Sequence, residues 1–169
     1  TLDASLTRDV LTDANAAYRT HAVELLIAAL VAALGRHTGA AACRLELEGH
    51  GREALFDDID ASRTLGWLTS HYPVAFAVEP TPAATLAGVK DALRAVPNKG
   101  LGFGVLRHDG DDATRAALAQ VARPRVTFNY LGQFDAPRDA ALVPRFGGAG
   151  RERDPAGPLG NALAIHAYV

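Results

Sequence analysis

The sequence predicts an α/β fold, with helices and a sheet in α+β layers. Two local patterns predict it. Residues 43–48 alternate strictly: Leu45 and Leu47 face one way, and Arg44, Glu46 and Glu48 the other, as in a strand with one wet or site-facing side. Before it, Val23, Leu26, Ile27, Leu30, Val31 and Leu34 recur at helical spacing, and alanines fill much of the rest, so this helix is buried on more than one side. Helix-like and strand-like segments go on alternating, without internal repeat, linker or low-complexity tract. A length of 169 residues suits one domain with a real core.

Taken in order, Thr7 is placed to cap a helix over residues 8–18, and Thr20 to cap the long apolar one. After strand 43–48 and a short helix or loop, "TLGWLTSHY" leads into a second strand, "YPVAFAV", at 72–78. Thr81-Pro82 opens a helix with proline at its first position and Leu86, Val89, Leu93 and Val96 on its buried face. "PNKGLGFG", 97–104, reads as a glycine-rich loop in which Lys99 is a solvated lysine. Asp111 or Asp112 caps a further helix to about Arg123, and "RVTFNYLG", 125–132, is a third strand. "GGAGRERDPAGPLGN", 147–161, is an exposed loop before a last strand at 161–169.

Bulk properties exclude several function classes. The formal charge is 17 − 19 = −2, and no run of Lys or Arg occurs, which argues against nucleic-acid or anionic-membrane partners. The longest apolar stretch, 22–34, is interrupted by Glu24 and falls short of the roughly 20 residues that span a bilayer. The single cysteine, Cys43, allows no internal disulfide and fits a reducing, cytoplasmic setting. The chain has no methionine and ends in "NALAIHAYV", which reads as mid-strand; both lead us to expect a piece of a larger protein.

The chemistry concentrates in "EGHGRE", residues 48–53. Glu48 ends a strand on its polar side, where neighbours can hold a carboxylate as a general base. His50 can shuttle protons near neutral pH, Arg52 can fork onto an oxyanion, and the glycines let the backbone bend or approach a substrate. The same residues equally make a plain structural turn if Arg52 pairs with Glu48 or Glu53. A second group is "FNYLGQ", 128–133, where Asn129 offers donors for an oxyanion and Tyr130 a phenol. A regular strand points these two to opposite faces, so either the strand bulges there or one of them is structural; Tyr130 reads equally as a core aromatic. Gly100-x-Gly102-x-Gly104 matches neither nucleotide fingerprint. The six histidines lack metal-motif spacing, Cys43 has no cysteine partner, and no G-x-S-x-G elbow occurs. No metal is expected.

Four motifs in this order, "EGHGRE" (48–53), "RTLGWLTSHYPV" (63–74), "PNKGLGFG" (97–104) and "FNYLGQFD" (128–135), closely resemble the later core motifs of epimerization domains from nonribosomal peptide synthetases. The opening "TRDVLTDANAAYRTHAVELLIAAL" is similar too, so the resemblance covers nearly the whole chain. Condensation domains share the fold but look different at these positions.

The resemblance implies a chloramphenicol-acetyltransferase-like subdomain, a mixed sheet flanked by helices, with residues 1–169 as a single C-terminal subdomain. The family's HHxxxD stretch, with its catalytic histidine, belongs to an N-terminal subdomain and does not occur here. The implied reaction is Cα epimerization of an aminoacyl or peptidyl thioester carried on the phosphopantetheine of a peptidyl carrier domain, with no cofactor of the enzyme's own. By motif, Glu48 corresponds to the catalytic glutamate, and Arg52, Asn129 and Tyr130 to supporting positions. The implied partners are the N-terminal subdomain and the carrier domain. Half of such a cleft is expected to be inactive alone. The rival readings are a recruitment platform with a degenerate site, a condensation enzyme, and a structural half that exposes apolar surface where its partner should sit.

Overall fold

The computed structural model describes residues 1–134, 154–158 and 160–169. Most of the expected 147–161 loop, and Asp135 of the "FNYLGQFD" motif, lie outside the described residues. The elements run α1 (Ala4–Leu11), α2 (Asp13–Tyr18), α3 (Ala22–Thr38), β1 (Ala42–Gly49), β2 (Ser70–Ala77), α4 (Pro82–Arg94), a 3-10 turn (Pro97–Gly100), α5 (Leu101–Asp109), α6 (Asp112–Ala119), β3 (Val126–Tyr130) and β4 (Leu163–Ala167).

The four strands form one mixed sheet in the order β2-β1-β3-β4. β1 pairs antiparallel with β2 and parallel with β3, and β3 runs parallel to β4. The expected mixed sheet flanked by helices is therefore present. The period-2 pattern divides its two faces. Leu45 and Leu47 of β1, Val74 and Phe76 of β2 and Phe128 of β3 bury one face against Ile27 and Val31 of α3 and Leu86 and Val89 of α4. Each such side chain contributes about 1.5–3 kcal/mol on full burial. α3 lies so close to the exit of β2 that a Cβ on Gly35 would come within 2.4 Å of Val78. No single helix among the described residues is long and apolar enough to cross a membrane; α1–α2 and α3 pass together by composition but are bent by 95°.

Several boundaries differ from expectation for local reasons. The first helix starts at Ala4 because the Asp3 carboxylate accepts from the Leu6 amide at 2.8 Å, a cap well before Thr7. It breaks at Thr12, whose backbone (φ −121°, ψ −77°) is not helical, so 8–18 becomes two short helices. The cap of α3 is His21 and not Thr20; the Glu24 carboxylate reaches back to the His21 amide at 2.7 Å. Thr81 caps α4 and Asp111 caps α6 as expected, but α6 ends at Ala119, short of Arg123.

The expected glycine-rich loop at 97–104 is instead a 3-10 turn running into α5. Gly100 turns the chain in the left-handed region at φ 82°, pressed so tightly on Tyr72 that a Cβ there would lie 2.1 Å from its ring carbons. Gly102 and Gly104 sit in α5, where tertiary packing against β2 overrides their low helix propensity. By contrast, residues 50–69 hold no helix or strand, the length of irregular chain that usually serves a function.

Candidate active site

β1 and β3 run side by side in parallel, with Glu46 beside Thr127 and Leu47 beside Phe128. That register puts the polar positions of both strands on the sheet face away from α3 and α4. Two steps of a polar ladder result. Thr127 Oγ1 donates to Glu46 Oε2 at 3.3 Å and accepts from Asn161 Nδ2 at 2.6 Å. One step further, at the strand ends, Asn129 Nδ2 donates to Glu48 Oε2 at 2.5 Å. Glu48 and Asn129 are both half-buried. The structure thus brings together a carboxylate at the edge of a turn and an amide that orients it.

The turn after Glu48 is clamped from two sides. Gly51 has φ 69°, and a Cβ there would fall 1.6 Å from the Leu68 carbonyl oxygen, so only glycine lets the turn lie against the 64–68 segment. Arg52 secures that contact: its guanidinium donates to the carbonyls of Thr64 (2.9 and 3.2 Å) and Gly66 (2.9 Å), and to that of His50 at 3.1 Å. The pairing of Arg52 with Glu48 or Glu53, which makes a plain structural turn in sequence, is not what the fold uses. His50 is occupied on both ring nitrogens. Nδ1 accepts from the Arg52 amide at 3.0 Å, and Nε2 faces Glu53 Oε1 at 3.2 Å, the arrangement of the Nε2–H tautomer.

Tyr130 lies apart from these groups. It is the next residue after Asn129 on a regular strand, so it points to the opposite face and packs against the main core with Ile165 and Ala167. No bulge turns it back.

Sequence reasoning missed three members of the cluster. Glu53, only 13% exposed, is held by His50 and by Lys99 Nζ at 2.9 Å; Lys99, its side chain 73% exposed, is solvated as expected and is also an ion-pair partner. Tyr72 lies beside them, its phenol pushed up from its ordinary pKa by burial and then by the Glu53 charge. Glu53 is part of the "EGHGRE" motif. Lys99 is far from it in sequence, and nothing local signals the pairing.

The condensation domain family model matches residues 1–144. The chain belongs to the condensation domain family. Among curated members, it is 46% identical over 157 residues to a linear gramicidin synthase of Brevibacillus parabrevis, covering 90% of this chain and 2% of that protein. It is 39% identical over 141 residues to tyrocidine synthase 1 of the same organism, covering 82% of this chain and 13% of that protein. The chain therefore spans a small fraction of these synthetases. Among solved condensation-family structures, the epimerization domain from the third module of tyrocidine synthetase B superposes with a TM-score of 0.71 at 36% identity, over 79% of this chain and 30% of that one. The first condensation domain of the CDA synthetase gives 0.54 at 25% identity, over 73% of this chain and 26% of that one. The fit of this condensation-family chain is thus to the epimerization type.

Proposed function

We propose that this chain is the C-terminal subdomain of an epimerization domain in a nonribosomal peptide synthetase. Together with an N-terminal subdomain it converts the L-aminoacyl or peptidyl thioester on a carrier domain's phosphopantetheine arm to the D form. The observation that carries the reading is the Glu48 carboxylate at the mouth of the "EGHGRE" turn, held by Asn129. The chemistry follows from that group. A carboxylate takes the proton from Cα, and the Cα–H electron pair moves into the thioester carbonyl as an enolate. Donors stabilise the enolate oxygen, and a second acid on the opposite face of Cα returns a proton with inverted configuration. Glu48 supplies one face; the second acid is assigned to the N-terminal subdomain. The reaction draws on no metal or diffusible cofactor, and the isolated half is inactive. The setting is that of soluble, cytoplasmic synthetase modules.

The test uses the synthetase module that carries this chain, loaded with its substrate in heavy water, with deuterium uptake at Cα followed by mass spectrometry. Glu48→Gln is expected to slow exchange by on the order of a hundredfold to ten-thousandfold, the contribution typical of a general base. Equal exchange in wild type and variant makes Glu48 structural and defeats the reading. A condensation reaction is the second reading, favoured by the family model that matches the chain. It predicts a new peptide bond between two carrier-bound substrates and no label at Cα. Carrier binding with neither product supports a recruitment module.

A further inference from the structure

We propose that Lys99 is a positioning residue for Glu48: through Glu53 it locks the 49–53 turn against the turn that starts α5. The inference rests on the reading of Glu48 given above. Its first support is the backbone. Asn98 (φ 46°, ψ 37°), Lys99 (φ 49°, ψ 36°) and Gly100 (φ 82°) are consecutive left-handed residues. Glycine adopts this region freely and asparagine tolerates it, but a lysine there is strained, so the surrounding contacts must hold it.

Those contacts are visible on both sides of the residue. The Lys99 carbonyl oxygen lies over Gly49, 3.7 Å from where a Cβ would stand, next to the residue that carries the carboxylate. The Lys99 ammonium reaches Glu53 at 2.9 Å. Backbone and side chain thus grip the two ends of the same turn. Gly100, stacked on the Tyr72 ring, fixes the gripping segment to β2.

The two clamps on the turn are not equivalent. Arg52 ties it to carbonyls of residues 64 and 66, in a segment with no helix or strand of its own. Lys99 ties it to a turn anchored on the sheet. Loss of Lys99, whose own side chain is 73% exposed, leaves the largely buried Glu53 with only its contact to His50, and a carboxylate short of partners relaxes toward solvent. The turn then loses its only ion pair to the sheet side among the described residues, and Glu48 its fixed entry angle.

The experiment measures Cα deuterium exchange in the same module, with the carrier domain supplied in trans so that kcat and KM are read separately. Lys99→Met is expected to lower kcat by on the order of tenfold to a hundredfold with KM unchanged, as small misplacements of a reacting group do. Lys99→Arg, which keeps the charge, should restore most of the rate. Glu53→Gln should mimic Lys99→Met, and the double variant should be no slower than either single one. Thermal unfolding checks that the variants fold; if Lys99→Met does not, Glu53→Gln and Lys99→Arg carry the comparison. A Lys99→Met enzyme at the wild-type rate, or one with raised KM and unchanged kcat, overturns the inference while Glu48→Gln remains slow. If Glu48→Gln itself exchanges at the wild-type rate, the reading of Glu48 falls and this inference with it.

Discussion

Glu48 and Asn129 meet because β1 and β3 run parallel in one particular register, and much at the residue scale depends on that single hydrogen bond. A hydrogen bond to a charged group is worth about 1.5–3 kcal/mol, so Asn129→Ala should slow Cα exchange by about tenfold to a hundredfold. Asn129→Asp should do more than remove the donor. A second carboxylate at that distance repels the Glu48 carboxylate, so the loss of rate should exceed that of Asn129→Ala. The glycines differ just as sharply among themselves. Gly51→Ala places a methyl group in the Leu68 carbonyl at a positive φ and should lower the unfolding temperature. Gly104→Ala, in open space inside α5, should raise stability by about 0.5–1 kcal/mol. Glu48 and Arg52 were legible in the sequence as residue types, but their partners were not. Arg52 binds carbonyls, which every residue carries, and so leaves no compositional trace.

At the scale of elements, the strands were the most legible feature, since alternation at 43–48 states directly which side is buried. Asn129 and Tyr130 illustrate both the reach and the limit of that rule. Alternation demanded that they part, and the regular β3 decides that Asn129 joins Glu48. α5 was illegible because Gly102 and Gly104, following Gly100, mimic a loop, and only packing against β2 makes those two helical. The boundary between β2 and the 3-10 turn carries a pH prediction. Burial, and then the charge of Glu53, raise the Tyr72 phenol above its ordinary 10.0. The fold therefore favours the neutral phenol. Its contribution is complete below about pH 10 and is lost as pH rises through the folded value. Alkaline unfolding should flatten in Tyr72→Phe, and a tyrosinate absorbance titration should lose its late-ionising component.

The molecule as a whole is lopsided. Helices α3 and α4 cover one sheet face, while the other keeps a polar ladder, and beyond the strand ends the 50–69 segment holds Leu65 fully exposed and Trp67 88% exposed. Trp67 is the chain's one tryptophan, so its fluorescence reports on that segment alone. In the isolated chain, emission should be red-shifted and readily quenched by iodide; in the proposed two-subdomain assembly it should shift to the blue and resist quenching. The order of the strands also bears on how the protein is made. β1 and β2 with α3 and α4 can close over a short stretch of chain, but the contact between Glu48 and Asn129 spans 81 residues. Contacts of such long range carry the larger loop-closure entropy and tend to form late. The pairing of Glu48 with Asn129 is therefore among the last contacts to assemble. A nascent or partly unfolded chain should lack the oriented carboxylate proposed as the base, because the amide that orients it arrives only with β3.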